Sequence, residues 1–177
     1  MSIEKARAAR CSEDFSMQTN ARPKILGPGE GDARWFLGTL ATIKVDGDDS
    51  AGRLAIWEAL LPKDAGPPLH KHPEDETFYV LDGRMTVWVG DESRHLSPGS
   101  LMYVPGGVPH TFIVESETAR VLMLSTVAGI ERFIRTLSEP ARRLQLPPDD
   151  VFPSDEEIVA GFAAGRVEIC GPRPTPA

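Results

Sequence analysis

Short apolar runs separated by turn residues dominate the chain between residues 35 and 129. Strands of this length at regular spacing are typical of a β-sandwich or barrel. The pattern therefore predicts a mainly β domain. The predicted strand regions are residues 35–45, 53–61, 77–81, 85–89, 101–104, 111–114 and 119–127.

Two connections between these runs are very short. One contains Asp82 and Gly83, and the other contains Gly90 and Asp91. Both dipeptides tolerate the positive φ angles that tight β-hairpin turns require. We therefore expect an antiparallel hairpin at each place.

The apolar period changes to that of a helix after Gly129. One apolar stripe at helical spacing is formed by Ile130, Phe133, Ile134 and Leu137. Pro140 limits how far this helix continues. A second helix is predicted to start at a capping box of Ser154 and Glu157 and to end near Gly165. Both helices are too short to be stable alone, so we expect them to pack on the outside or the mouth of the β structure.

These patterns divide the chain into four parts. Residues 1–33 are polar and interrupted by glycine and proline, which predicts an arm. Residues 34–127 form the β-barrel, and residues 128–170 form the C-terminal helices that pack on it. Residues 171–177 are predicted to be a flexible tail.

Composition restricts the function classes. The 177 residues carry a formal net charge of −7, which argues against nucleic acid or an anionic membrane as a partner. Two cysteines, Cys11 and Cys170, do not make a disulfide framework, and residues 1–10 lack the apolar run of a secretory signal. We expect a soluble cytoplasmic protein. Because sheet edges must be covered, we also expect a homodimer.

Three of the four histidines lie at strand borders, as His70, His72 and His110, and Glu76 follows His72 by four positions. Side chains at i and i+2 of an extended segment share a face, so His70 and His72 can bind one ion. Three imidazoles and a carboxylate suit a divalent transition metal such as Fe, Mn, Ni, Co, Cu or Zn. The pattern predicts a metal centre that leaves positions open for a small-molecule substrate.

These residues resemble the two motifs of the cupin superfamily. The first motif is matched by Gly66, His70, His72, Glu76 and Gly83, and the second by Gly99, Pro105, Gly107 and His110. Two positions depart from the family pattern: Gly66 lies closer to His70 than usual, and Val114 replaces a common Asn. Neither departure removes a metal ligand. The resemblance implies a single jelly-roll barrel, or double-stranded β-helix.

Within the cupins, the chain looks most like bacterial quercetin 2,3-dioxygenase-like single-domain proteins, including the segment from Gly129 to Pro147. This resemblance implies that His70, His72 and His110 are ligands and that Glu76 is both ligand and catalytic base. It implies a dioxygenase that uses dioxygen on a flavonol-type or other enolisable aromatic substrate. The same four residues also serve cupin isomerases, cyclases and lyases, and a small-ligand binding cupin is a third alternative.

Strand parity predicts the pocket around this centre. If Glu76 and His110 face inward, the residues that follow them at alternate positions also do. Two residues of other strands, Trp57 and Met102, are further candidates. The predicted substrate pocket is Phe78, Val80, Phe112, Val114, Trp57 and Met102.

Four other polar residues are not predicted to be metal ligands or catalytic residues. His95 has no partner in the metal pattern and is expected at the surface. Glu74 and Asp75 precede Glu76, so tuning of Glu76 is one interpretation of them, but we expect them to be solvated loop carboxylates. Cys170 has no accompanying base and is expected to be a small apolar residue rather than a nucleophile.

Overall fold

The computed structural model describes residues 20–173, so much of the predicted arm and residues 174–177 of the predicted tail lie outside the described residues. The strands are β1 (Asp32–Phe36), β2 (Thr39–Val45), β3 (Ala55–Pro62), β4 (Leu69–Lys71), β5 (Asp75–Asp82), β6 (Met85–Val89), β7 (Glu92–Leu96), β8 (Leu101–Val104), β9 (His110–Val114), β10 (Thr118–Thr126), β11 (Ser138–Pro140) and β12 (Glu168–Gly171). The helices are α1 (Gly47–Ser50), α2 (Ile130–Thr136) and α3 (Asp155–Ala164).

Two antiparallel sheets form the domain. The larger has the order β11-β1-β2-β3-β10-β5-β8, and the smaller has the order β12-β4-β9-β6-β7. The larger sheet contributes Glu76 from β5, and the smaller contributes His70 from β4 and His110 from β9. The predicted mainly β fold with short C-terminal helices is confirmed.

The core lies between the sheets and follows from strand alternation. In β3, every second residue is buried, from Ala55 through Trp57 and Ala59 to Leu61. The neighbouring strand β10 alternates in the same way. Because successive side chains of a strand point to opposite faces, this pattern buries one face of the sheet and leaves the other accessible. Burial of that face supplies about 25 cal/mol per Å² of apolar area removed from water.

Only one of the two predicted hairpins forms. Gly90 and Asp91 connect β6 to β7, which pair directly as antiparallel strands. The hairpin predicted at Asp82 and Gly83 is wrong, because the chain there crosses from β5 in the larger sheet to β6 in the smaller. Gly83 has a φ of +83°, and a Cβ atom would lie 2.4 Å from the carbonyl oxygen of Thr118. Glycine is therefore required by a close chain crossing rather than by a hairpin.

The predicted strand region 35–45 contains a turn. Leu37 and Gly38 both have positive φ angles, 47° and 77°, and they join β1 to β2 as a hairpin. A non-glycine residue in this conformation is uncommon, so the sequence carries no clear signal for the turn.

Both predicted C-terminal helices are present. Ser154 and Glu157 form the predicted capping box of α3, and Gly165 is its C-cap. The short strands β11 and β12 were not predicted; β11 pairs with β1, and β12 pairs with β4. Segments of three or four residues are too short to show strand alternation. The four-part domain division stays a prediction.

The described end of the chain is in contact with the barrel. Arg173, which was predicted to lie in a flexible tail, donates hydrogen bonds to the carbonyl oxygens of Asp64 at 2.8 Å and Gly66 at 3.3 Å. None of the helices within residues 20–173 has the length and hydropathy of a membrane-spanning helix.

Candidate metal centre

The three predicted histidine ligands lie together between the two sheets. His70 of β4 and His110 of β9 are direct partners in the antiparallel ladder, and His72 follows β4 on the same face as His70. One ligand atom from each of the three side chains lies within 4.8 Å of the other two. Two short strands thus bring together residues from both sequence motifs.

Backbone carbonyl groups orient two of the rings. The Nδ1 atom of His70 donates to the carbonyl oxygen of Pro68 at 3.0 Å, and Nδ1 of His110 donates to that of Val108, also at 3.0 Å. A carbonyl oxygen can only accept, so each Nδ1 atom carries a hydrogen. Each ring therefore presents its Nε2 atom to the cluster, the arrangement that metal-binding histidines commonly have.

Glu76 lies beside these rings and is buried. Its Oε2 atom is 3.1 Å from Nε2 of His72 and 3.2 Å from Nε2 of His110. Burial alone would raise the pKa of Glu76, but hydrogen bonds from His110 and His72 hold this pKa at about 2. The carboxylate is therefore ionised at neutral pH.

The pKa values of two histidines move in opposite directions. Burial, together with the nearby His110, lowers the pKa of His70 to about 4. Burial also acts to lower the pKa of His72, but the hydrogen bond and charge of Glu76 outweigh it and raise this pKa. His70 is thus neutral at physiological pH, the form in which imidazole binds metals.

The donor set fits a divalent transition metal. His70, His72 and His110 would supply three imidazole nitrogens, and Glu76 would supply a carboxylate oxygen from the opposite sheet. Borderline nitrogen ligands with one hard oxygen accommodate several first-row metals, so these residues do not select one of them.

An apolar cavity of about 710 Å³ reaches this cluster. His70, His72 and Glu76 lie on its wall, and His110 is buried behind it. Of the six predicted pocket residues, Trp57, Phe78 and Phe112 line the cavity. The other three are buried in the core, where they do not line it: Val80, Met102 and Val114. Val80 and Val114 lie four residues beyond Glu76 and His110, too far along their strands to reach the cavity.

The C-terminal region supplies a wall that sequence reasoning missed. Phe133 of α2 stacks edge-on with Phe36 of the barrel and with Phe162 of α3, at centroid distances of 5.6 and 5.4 Å. All three aromatic rings line the cavity. The helical period identified Phe133 as an apolar helix position but carried no signal for which barrel face it contacts.

The prediction for Glu74 is wrong, because this side chain is only 4% exposed. Its Oε1 atom accepts a hydrogen bond from Nη2 of Arg166 at 2.8 Å. Asp75 belongs to β5 rather than to a loop, and it accepts hydrogen bonds from the Tyr103 hydroxyl and the backbone N–H of Gly106. Residue spacing does not show that an arginine distant in sequence lies next to Glu74.

The remaining predictions concern residues outside the cluster. The His95 side chain is 78% exposed, as expected, and it contacts Glu115. Cys170 is a free, exposed cysteine on β12, and the expectation that it is not a nucleophile stays a prediction. Cys11 lies outside the described residues.

Comparison with known proteins agrees with this architecture. Residues 57–127 match the Cupin_2 family model, described as a cupin domain. The chain is 29% identical to quercetin 2,3-dioxygenase of Bacillus subtilis over 136 residues, which cover 76% of this chain and 40% of that protein. The alignment thus spans less than half of the relative's length.

Two solved structures share the fold. The polyketide cyclase RemF from Streptomyces resistomycificus is 21% identical with a TM-score of 0.52, covering 80% of this chain and 97% of that one. An RmlC-like cupin from Shewanella frigidimarina is 18% identical with a TM-score of 0.53, covering 66% of this chain and all of that one. The family match thus shows a cupin domain at residues 57–127, and the two solved structures share the fold around it.

Proposed function

We propose that this chain is a metal-dependent dioxygenase acting on a flavonol-type or other enolisable aromatic substrate. The observation that carries this proposal is the position of the three histidines and Glu76 beside a large apolar cavity. The similarity to quercetin 2,3-dioxygenase of Bacillus subtilis supports the substrate class.

His70, His72, His110 and Glu76 would hold the metal. A divalent transition metal bound there supplies a Lewis acid that polarises a substrate oxygen and lowers its pKa, and a redox-capable metal also permits chemistry with dioxygen. Among these four residues Glu76 is the carboxylate, and it is the candidate to accept a proton from the substrate. Its buried carboxylate is ionised and lies beside the cavity wall, so it can accept a proton from a substrate hydroxyl.

The cavity favours an aromatic substrate of substantial size. A volume of about 710 Å³ lies within the usual range for small-molecule sites. Trp57, Phe78 and Phe112 offer ring faces and edges near the cluster, and Phe78 and Phe112 already pack against each other at 5.8 Å. These side chains would hold a planar substrate and exclude water while its oxygen atoms face Glu76.

The test is dioxygen consumption by metal-loaded protein. Protein reconstituted separately with Fe, Mn, Ni, Co, Cu and Zn is assayed in an oxygen electrode with quercetin and other flavonols. We expect consumption with at least one redox-capable metal and a loss of at least a hundredfold in Glu76→Gln. Turnover of the same substrates without dioxygen would overturn the dioxygenase proposal in favour of an isomerase, cyclase or lyase. Binding without turnover would indicate a ligand-binding cupin.

We also propose that the protein is a cytoplasmic homodimer. Support for the dimer comes from the outer face of β5 and the edge strand β8, where Tyr79, Leu101 and Tyr103 are 39%, 59% and 54% exposed. A second copy would cover both these apolar side chains and the open backbone groups of the edge. Light scattering at micromolar concentration tests this, with Leu101→Lys expected to shift the mass to that of a monomer.

A further inference from the structure

Glu74 lies against the side of His72 that faces away from Glu76. Its Oε2 atom is 3.5 Å from Nδ1 of His72, whereas Nε2 of the same ring is 3.1 Å from Glu76. The His72 ring is therefore placed between two buried carboxylates. Neither Glu74 Oε2 nor His72 Nδ1 has a hydrogen-bond partner among residues 20–173.

This arrangement differs from that of the other two histidines. His70 and His110 each have a backbone carbonyl as the acceptor for Nδ1, at 3.0 Å in both cases. His72 has the carboxylate of Glu74 at that position instead. A buried N–H group without an acceptor costs about 1–3 kcal/mol, so the ring needs this partner when it carries a hydrogen on Nδ1.

The carboxylate is itself held from the C-terminal region. Arg166, just beyond α3, donates from Nη2 to Glu74 Oε1 at 2.8 Å. Gly129 leaves room for this oxygen, because a Cβ atom at that position would lie 2.9 Å from it. Arg166, with a φ of +55°, lies where the chain leaves α3 for β12. Glu74 thus has one oxygen fixed by Arg166 and the other directed at His72.

We propose that Glu74 is a positioning residue for His72 and that Arg166 holds Glu74 in place. A shift of about half an ångström brings Glu74 Oε2 into hydrogen-bond range of the His72 Nδ1–H group. The carboxylate then fixes the tautomer with Nε2 free for the metal and increases the basicity of that nitrogen. This inference rests on the metal centre of the proposed function.

One consequence is a link between the metal ligands and the cavity wall. Phe162 and Gly165 of the same C-terminal region line the large apolar cavity, and Arg166 is the residue after Gly165. Loss of the Arg166 contact should therefore weaken metal binding although Arg166 touches no proposed ligand.

The test is zinc affinity, measured by competition with a chromophoric chelator on the full chain. We expect a loss of about tenfold for Glu74→Gln and up to a hundredfold for Glu74→Ala. Arg166→Ala should lower the zinc affinity by about three- to tenfold, and Arg166→Lys should recover most of this loss. In the Glu74→Ala background, Arg166→Ala should cause no further loss of zinc affinity. Glu156→Gln, at an exposed position of α3, controls for the lost negative charge. Arg132→Ala controls for a lost arginine, because Arg132 lines a small cavity together with Glu74 and Arg166. Both controls should match the wild type.

A spectroscopic readout separates positioning from general destabilisation. In zinc-loaded protein with ¹⁵N-labelled histidine, NMR should show a slowly exchanging Nδ1–H proton on His72 that shifts upfield in Glu74→Gln. Equal zinc affinity in wild type and Glu74→Ala, or an unchanged His72 signal in Glu74→Gln, would overturn the inference while leaving the metal centre intact. A wild type that binds no zinc or other divalent metal would overturn both this inference and the proposed function.

Discussion

His70 and His110 are directly opposite each other in the β4–β9 ladder, with ring centroids 4.4 Å apart. Two imidazoles at this separation repel when both are protonated, and the nearby His110 is one cause of the low pKa of His70. A cation shared by their nitrogen atoms converts this repulsion into attraction. The cross-strand pair is thus unfavourable as two charged groups and favourable as two ligands.

Replacement of His110 by alanine should abolish stoichiometric metal binding. The substitution removes one of three converging nitrogen atoms and keeps the backbone of position 110 that pairs with His70. Elemental analysis of protein purified without an affinity-tag metal column measures the effect. His95→Ala is the matched control, because this exposed histidine lies outside the cluster and should leave the metal content unchanged. Equal metal content in His110→Ala and the wild type would contradict the site.

The sequence was sufficient to predict that His70, His72 and His110 lie together, whereas their role as ligands stays a prediction. His70 and His72 have strand spacing. Glu76 and His110 lie near the start of β5 and β9, and the residue two positions after each, Phe78 or Phe112, lines the cavity. Parity along a strand is set by backbone geometry alone. The pairing of β4 with β9, which brings His110 beside His70, is a contact between distant segments that parity does not show.

Other features could not be predicted from the sequence, because they depend on contacts between segments that are distant along the chain. Arg166, just beyond the end of α3, donates a hydrogen bond to the buried Glu74. The two residues are 92 positions apart, so no local sequence pattern predicts this contact. Gly83 serves a crossing between sheets, although Asp-Gly is equally suited to a hairpin. The cavity wall at Phe133 and Phe162 exists because two marginal helices dock on the barrel, and helix periodicity does not indicate where.

The metal-free protein should lose stability in acid through Glu76. This carboxyl has a pKa of about 2 in the folded protein, whereas the ordinary pKa of a glutamate is 4.5. The unfolded chain therefore binds the proton first as pH falls, and the stability from ionised Glu76, fully present above pH 4.5, is lost as pH approaches 2. The loss is on the order of 3 kcal/mol. Urea unfolding of chelator-treated protein across this range measures it.

Glu76→Gln is the comparison for that experiment, because glutamine has the same shape and does not titrate. Its unfolding free energy should fall less steeply than that of the wild type between pH 4.5 and 2. His70 contributes a separate loss between the ordinary histidine pKa of 6.5 and its own pKa of about 4, which both proteins share. Parallel curves below pH 4.5 would show that Glu76 is not held ionised by His72 and His110.

Filling the cavity at Ala59 should block substrate without disturbing the fold. Ala59 lines the cavity, so Ala59→Leu places its added carbon atoms in open space. We expect a stability change below about 1 kcal/mol, unchanged metal content and at least tenfold weaker binding of quercetin by calorimetry. Ala119→Leu is the control, since Ala119 is fully buried in the core away from the cavity and should lose about 1–3 kcal/mol. Equal destabilisation by both would show that the space beside Ala59 is not open.

Gly161→Ala should destabilise the protein, although the same change normally favours a helix by about 1 kcal/mol. Gly161 is buried in α3, and a Cβ atom there would lie 2.6 Å from Cγ of Leu137, which is itself buried. We expect a loss of about 1–2 kcal/mol in urea unfolding. Ala160→Gly, at an exposed position of the same helix, should lose about 1 kcal/mol through propensity alone, so alanine is favoured at 160 and disfavoured at 161.

The double-mutant cycle with Leu137→Ala isolates the cause. Leu137→Ala alone leaves a gap beneath α3 and should cost about 2–5 kcal/mol. With the leucine side chain shortened, the methyl group of Gly161→Ala has space, and helix propensity should make the second substitution neutral or stabilising. This reversal of sign gives a coupling energy that only two residues in contact can show. Additive effects would mean that α3 does not pack against Leu137, and the cavity wall that contains Phe162 would then lack its anchor.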